Sequence, residues 1–415
     1  MEDDLRIIYN KNIEKNELNL NKQNIVKEHI FKPLNQIFNN KIKNSIEKKQ
    51  KIRNPSIDFV RLIAMYLVVV SHILYFGNGY KKYHKYERQL KYLHSFTNWH
   101  NDGFALISGI VGYKSNKYSN LLYLWITVLF YSIGIHLYIQ NFQKGFKIYN
   151  DISIEFFPII FKRYWYFTAY FGMYLFLPII NKGISCLTKS ELRFVVISTI
   201  GLFVFWRHFK NPKIDVFNIN EGHSMIWLLT YYITGAYIGK YQVNYLGLKK
   251  YIFCFLCILI YIFSSYLYIK ANNDQQFLGK GNYQKQLAVI IREILTVKYD
   301  SILIIAQSIT TCLFFLQIKF NKYIAKIICF LGPLSFGIYL IHIHPLLIDN
   351  TLRHILDKEP ENLGLFSIII LILLKALKVC VFCIIIDYIR HLIFTLLRIR
   401  KIFIFLEESM KNIFI

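Results

Sequence analysis

Three ionisable side chains lie in the first apolar segment of the chain, SIDFVRLIAMYLVVVSHILYF, where charge is costly. Arg61 and His72 are eleven residues apart, which on an α-helix is about 20° past three turns and about 16 Å along the axis. The two side chains therefore share one face, and Asp58 lies near the same stripe one turn before Arg61. A neutral imidazole can take a proton from a hydroxyl group, which predicts general-base chemistry at His72.

A structural explanation also exists for the two charges at the start of this segment. Asp58 and Arg61 can instead be interfacial groups whose charged ends extend to the headgroup region. His72 is harder to explain in this way, because it lies three turns further along the helix. Both explanations stay open for the first two residues.

A short second segment, NWHNDGFALISGIVGY, places a carboxylate at the start of another predicted helix. Asp102 there can orient His72 on the neighbouring helix. The small residues Gly103, Gly109 and Gly112 permit close approach of two helix backbones. A tight helix crossing with Asp102 as a capping residue explains the same pattern.

Further polar and aromatic residues recur where later apolar segments begin or end. They are Trp165 in RYWYFTAYF, Glu221, Ser224 and Trp227 in EGHSMIW, and Tyr339 and His342 in FGIYLIHIHP. Each alone is typical of an aromatic belt or a helix end. The cysteine pairs Cys254/Cys257 and Cys380/Cys383 lie inside apolar segments, where packing is expected. We therefore predict no metal site.

The overall composition predicts a membrane protein. Of 415 residues, 54% are hydrophobic and 18% charged, and the formal net charge is +25. Lysine and arginine occur in short clusters between apolar runs, which argues against nucleic-acid binding and favours positions that flank a membrane. Ten apolar runs approach the roughly 20 residues that cross a bilayer. They are 57–76, 99–113, 118–140, 163–181, 192–208, 223–239, 248–269, 301–318, 327–348 and 364–389.

The predicted fold class is all-α, a polytopic membrane helical bundle of about ten transmembrane helices. Basic residues outnumber acidic ones in alternate connections, which predicts that both termini are cytosolic. The basic loop at 81–91 disagrees with this orientation. We predict three parts: a polar cytosolic leader (1–53), amphipathic or disordered, a membrane domain (54–395) and a basic cytosolic tail (396–415).

Taken together, the polar residues form five motifs in a fixed order. The motifs are Arg61 with His72, Asp102-x-Phe104-x-x-x-Ser108-Gly109, Trp165-Tyr166-Phe167 with Pro178, Gly222-x-Ser224-x-x-Trp227 with Tyr232-x-x-Gly235-Ala236-Tyr237, and Tyr339-Leu340-Ile341-His342. This series resembles the acyltransferase 3 family from about residue 54 to about residue 395, which is almost everything except the leader and the tail. Members of that family are multi-pass membrane acyltransferases, and many O-acetylate cell-surface polysaccharides or lipid-linked glycans. Gly103 and Ala105 replace bulkier residues usual in the second motif, and His344 follows the last.

The resemblance implies a plasma-membrane O-acetyltransferase that uses acetyl-CoA as donor substrate and binds no cofactor. Arg61 and His72 match the family's essential basic residue and histidine, and with Asp102 they form the predicted catalytic set. Residues predicted to bind donor or acceptor are Asp58, Ser108, Trp165, Glu221, Ser224, Trp227, Tyr339 and His342. The expected partners are membrane lipids, an acyl-CoA and a glycan acceptor.

Two other classes of function fit parts of the sequence. A transporter or glycan flippase also combines many spans, buried charge and a short broken helix. Against it, the sequence shows no inverted repeat, and the charged stripe lies mostly on one helix. A non-catalytic membrane scaffold predicts instead that Arg61 and His72 tolerate substitution.

Overall fold

The computed structural model describes residues 53–143, 145–146, 151–209, 215, 217–241, 250–273 and 299–413. These residues form sixteen α-helices with short 3-10 turns, and no strand occurs among them. The all-α prediction is therefore confirmed. The predicted leader, except Arg53, lies outside the described residues.

The helices follow one another with short connections. In chain order they are α1 (Pro55–Tyr75), α2 (Gly79–Lys82), α3 (Glu87–Ser95), α4 (His100–Gly112), α5 (Tyr118–Phe142), α6 (Ser153–Phe156), α7 (Trp165–Cys186), α8 (Lys189–Phe209), α9 (Met225–Tyr241), α10 (Lys250–Asn273), α11 (Ile302–Phe315), α12 (Lys322–Leu331), α13 (Ser335–His342), α14 (Pro345–Asn350), α15 (Leu365–Leu396) and α16 (Ile399–Ile413). A 3-10 turn, Gly332–Leu334, joins α12 to α13.

Four stretches of the described chain are long and apolar enough to cross a membrane. They are Pro55–Tyr75, Tyr118–Phe142, Lys322–His342 and Leu365–Leu396. Each of the ten predicted runs contains a helix, but ten spans are not confirmed. Helix α4, for example, has 13 residues and reaches only about 20 Å, which is shorter than a hydrocarbon core of about 30 Å.

Helix α1 is the central element that carries the stripe predicted from the sequence. Pro55 occupies its first turn, and the side chain of Asn54 caps it by accepting a hydrogen bond from the Ser56 backbone at 3.0 Å. The helix packs against α4, α12, α13 and α15. Neighbouring helices therefore surround most of α1, including its polar residues. A buried site requires such an arrangement.

Helices α4 and α9 cross with their backbones in contact. A Cβ atom added to Gly109 would lie 1.9 Å from the Tyr232 carbonyl oxygen, and one added to Gly235 would lie 2.0 Å from that of Leu106. Only glycine fits at either position, because any side chain would overlap the facing backbone. The close approach predicted from small residues in the second segment is thus observed.

The residues predicted to form a basic tail fold as helix α16 against α5. Glu407 accepts a hydrogen bond from the Ser119 backbone at 2.9 Å and pairs with Lys411 at 2.7 Å. The interaction with Ser119 anchors the end of the described chain to the start of α5.

Candidate active site

Two imidazoles meet where α1 and α13 end. Nδ1 of His72 lies 3.0 Å from Nε2 of His342. On the other side of the second ring, Nδ1 of His342 lies 2.6 Å from the Ile338 carbonyl oxygen. A carbonyl oxygen only accepts, so His342 carries its hydrogen on Nδ1, and its Nε2 accepts from Nδ1 of His72.

This chain of hydrogen bonds fixes the tautomer of His72. With its hydrogen on Nδ1, the neutral ring keeps a lone pair on Nε2. Nε2 of His72 has no hydrogen bond within the described residues, and the side chain is half-buried. The structure therefore presents a neutral imidazole with one nitrogen oriented by a partner and the other available as a base.

The position of His342 depends on how α13 ends. Pro345 starts α14, and the preceding His344 caps that helix by accepting a hydrogen bond from the Leu346 backbone at 3.3 Å. His344 is completely buried. The helix that carries His342 is thus followed directly by a fixed turn. This turn restricts movement of the His342 ring.

A buried carboxylate holds this turn in place. Glu155 of α6 lies 3.7 Å from Nε2 of His344, and it accepts hydrogen bonds from Ser132 at 2.5 Å and from Nε of Arg163 at 3.1 Å. Nδ1 of His136 lies 3.6 Å away. Burial raises the pKa of Glu155, but the hydrogen bonds from His344, Arg163 and Ser132 outweigh it and lower the pKa to about 2. Glu155 is therefore ionised at neutral pH.

Asp102 does not orient His72 in this structure. Its carboxylate is 1% exposed, and Oδ1 accepts a hydrogen bond from the indole Nε1 of Trp227 at 3.2 Å. It does not cap α4 either, because no side chain caps that helix. The orienting contact expected from Asp102 comes instead from His342, since Asp102 faces α9 across the close helix crossing. A catalytic role for Asp102 stays a prediction.

The predicted donor-side pair is present at the start of α1. Nη1 of Arg61 lies 2.8 Å from Oδ1 of Asp58, and the side chains are 26% and 1% exposed respectively. Asp58 packs against Gly332, where an added Cβ would come within 2.7 Å of the carboxylate carbon. Asp58 is thus buried rather than interfacial, and Arg61 is left partly accessible.

Two of the other predicted residues, Ser108 and Ser224, have backbone partners, and a third, Glu221, has an unusual backbone conformation. The Ser108 hydroxyl donates to the Phe104 carbonyl of its own helix at 2.8 Å. The Ser224 hydroxyl accepts from the Trp227 backbone at 3.2 Å and so begins α9. Glu221 is exposed and adopts a left-handed backbone conformation, with φ of 56°, which is uncommon outside functional or turn positions.

Aromatic rings gather near the start of α7. The Trp165 ring lies 4.4 Å from His223 and is stacked at 6.2 Å on Tyr299. Tyr166 places its ring 6.4 Å from Tyr339, close to the end of α13. Because the Tyr166 ring also lies 5.5 Å from Trp165, the predicted residues Trp165 and Tyr339 belong to one aromatic surface, which extends to α13, the helix that carries His342.

The sequence interpretation missed two residues of this region. His100 is 1% exposed, lies two residues before Asp102, and places its ring 6.2 Å from Tyr299. His100 is an ionisable residue in an apolar segment, as His72 is. The same sequence feature could therefore have identified it. No local pattern identifies Tyr299, because its neighbours in the site come from distant segments.

Another histidine, His94, contacts α1 at the residue before His72. Nε2 of His94 on α3 lies 3.1 Å from the Ser71 hydroxyl, and Nδ1 lies 2.6 Å from the Tyr80 hydroxyl. Burial lowers the pKa of His94 to about 4, so this ring is neutral at physiological pH. The contact holds α3 against the residue next to His72.

The described residues contain no group of three or more histidine, cysteine, aspartate or glutamate side chains arranged to hold a metal ion. The chemical groups of the site are thus imidazoles, a buried carboxylate, a partly exposed guanidinium and aromatic rings.

Fold and site together define a helical membrane protein with a hydrogen-bonded pair of imidazoles, His72 and His342, where two of its helices end. A scan against protein-family models matches residues 54–386 to an acyltransferase domain, that of the acyltransferase 3 family. The chain belongs to this family and is an acyltransferase. Comparisons with curated proteins and with solved structures gave no match.

Proposed function

We propose that the protein is an integral-membrane O-acetyltransferase that moves an acetyl group from acetyl-CoA to a hydroxyl of a cell-surface polysaccharide or lipid-linked glycan, at the plasma membrane. The observation that carries this proposal is the His72–His342 pair, with Nε2 of His72 available as a base. Acyl transfer to an alcohol needs such a base, because the hydroxyl is a weak nucleophile until its proton is removed.

The reaction follows from this arrangement. Nε2 of His72 takes the proton of the acceptor hydroxyl while the oxygen attacks the thioester carbonyl carbon. The C–S bond of the tetrahedral intermediate then breaks, and the CoA sulfur leaves with the proton that His72 returns. His342 accepts from Nδ1 of His72 throughout, and so supports the ring while it is positively charged.

Arg61 is the proposed contact for the donor. Its guanidinium is partly accessible and held by Asp58, and Arg commonly binds phosphate groups. The helical rise places it about 16 Å from His72. The extended pantetheine arm of acetyl-CoA suits such a separation, with the phosphates near Arg61 and the thioester near the imidazole.

The aromatic surface is the proposed contact for the acceptor. Trp165 lies against His223, Tyr339, on the helix that carries His342, lies against Tyr166, and Glu221 adds an exposed carboxylate near the start of α9. Aromatic rings combine an apolar face with polar neighbours, which suits the alternating surfaces of a sugar ring.

Release of CoA by the purified protein tests this proposal. With acetyl-CoA and a glycan acceptor, the wild-type protein should release free CoA and acetylate the glycan, whereas His72→Ala should lower kcat by about 10³-fold, a typical contribution of a general base. His354→Ala, which changes an exposed histidine far along the chain, serves as the matched control. Undiminished turnover in His72→Ala would remove the base from the mechanism.

The same assay separates the enzyme from the transporter or flippase. A transporter moves its substrate without breaking the thioester, so no free CoA would appear. Membership of an acyltransferase family favours the enzyme.

A further inference from the structure

An elongated groove lies between α5, α13 and α15. Its volume is about 850 Å³, and His342 is one of the residues that line it. The walls are mainly apolar, with Phe130 and Ile135 from α5 and Phe382 and Ile386 from α15. Phe130 and Phe382 are also 38% and 64% exposed on the outer surface of the bundle. The groove therefore opens sideways, towards the region that hydrocarbon chains occupy around a membrane-length helix.

The two lysines of this groove lie at one end of it. The opposite end lies near Tyr131, whose hydroxyl already donates to Asp387 at 2.7 Å. Lys375 and Lys378 both line the groove and precede Asp387 by twelve and nine residues, or about 18 and 14 Å along α15. Gln143 and Thr351 also line the groove. Its shape and polarity match an amphiphile with a charged head and an apolar chain.

The two lysines differ in their partners. Lys375 pairs with Glu359 at 2.5 Å. Lys378 forms no ion pair at such a distance within the described part of the chain, although Glu359 lies near enough to feel its charge. Its side chain is exposed on a helix that is long and apolar enough to cross a membrane. Its neighbours on α15, Leu374 and Leu377, are each 51% exposed. A lysine among lipid-facing apolar side chains is stabilised by a nearby anion.

We propose that this groove is a binding site for an anionic phospholipid. The phosphate lies at Lys378, and one chain follows α15 from there towards Ile386, past the imidazole of His342. A lipid is favoured over a peptide because the walls offer few polar groups to pair with a peptide backbone. The groove shares His342 with the proposed acyl-transfer site, but lipid binding there requires no acyl-CoA.

Native mass spectrometry of the delipidated protein in detergent provides the test. The protein is titrated with phosphatidylglycerol and with diacylglycerol that has the same chains and no phosphate. Two variants alter the site independently: Lys378→Gln removes the charge, and Gly134→Leu fills the groove from α5, where an added Cβ meets nothing within 4 Å. Lys326→Gln and Gly183→Leu are the controls, since Lys326 is exposed on an apolar helix and Gly183 has equally open surroundings.

The proposal predicts that wild type retains phosphatidylglycerol in preference to diacylglycerol. Lys378→Gln should weaken phosphatidylglycerol binding by about fivefold, the contribution of one lysine near an anionic headgroup. Gly134→Leu should weaken binding of both lipids, and the two controls should bind like wild type.

Three results would overturn the proposal: equal retention of the two lipids by wild type, equal losses in Lys378→Gln and Lys326→Gln, or unchanged binding in Gly134→Leu. His72→Ala should bind the lipid normally. The lipid site can therefore fail while acyl transfer stands, and the reverse is also possible.

Discussion

At the scale of single residues, the proposed base, His72, depends on a second imidazole. His72 donates to His342, which in turn donates to the backbone of α13. The last link is a backbone carbonyl inside a helix, so its position is fixed by the fold rather than by a side-chain rotamer. We therefore infer that His342 is a positioning residue for His72, in addition to the acceptor-side role predicted for it.

Replacing His342 tests this role. His342→Ala leaves Nδ1 of His72 without its acceptor, so we expect kcat to fall by about 10²-fold, the upper range for loss of an orienting partner. The KM values for donor and acceptor should change little. Glutamine can accept from His72 and donate to the Ile338 carbonyl, so His342→Gln should retain more activity than His342→Ala. Equal activity of the two variants, or a change in KM alone, would contradict the positioning role.

At the scale of elements, the crossing of α4 and α9 sets where Asp102 lies. The two backbones touch at Gly109 and Gly235, and Trp227 on α9 reaches the Asp102 carboxylate. The sequence predicted both that these segments are helical and that small residues allow close approach. It did not predict that Asp102 contacts α9 instead of α1, because spacing along a helix does not say which neighbour each face meets.

A single methyl group at this crossing should destabilise the protein. Gly235→Ala forces a Cβ against the Leu106 carbonyl, so the helices must separate, at a cost of about 1–3 kcal/mol for overpacking. We expect a lower Tm in detergent. Gly201→Ala, on α8 with nothing within 4 Å of an added Cβ, should keep or slightly raise the Tm because alanine favours helix over glycine. Matching Tm values for the two variants would show that the crossing adapts freely.

At the scale of the whole molecule, Glu155 joins segments that are distant in the sequence. It contacts Ser132 and His136 on α5, Arg163 before α7, and His344 between α13 and α14. These contacts fix the turn that follows His342. The packing of α5, α7 and α13 thereby supports the position of the His72–His342 pair.

This network should make stability depend on pH. The pKa of Glu155 is about 2 in the folded protein, against an ordinary value of 4.5. Its contribution to stability is therefore complete above about pH 4.5 and is lost as the pH falls from there towards about 2. The Tm of wild type should decrease over this range more steeply than that of Glu155→Gln, which cannot ionise. Parallel pH profiles for the two proteins would mean that Glu155 contributes nothing through its charge.

The residue types and their spacing were enough to predict a helical membrane protein and the ten helical segments, whereas the roles of the predicted site residues stay predictions. Helical periodicity and the cost of charge in hydrocarbon depend on short segments of the chain, so they can be determined from the amino-acid sequence alone. The tertiary structure alone decided that His342 rather than Asp102 orients His72, that Glu155 and Tyr299 belong to the surroundings of the site, and that a groove with a lysine beside it opens between α5 and α15. These contacts join residues far apart in the chain, and they depend on which helix faces pack together.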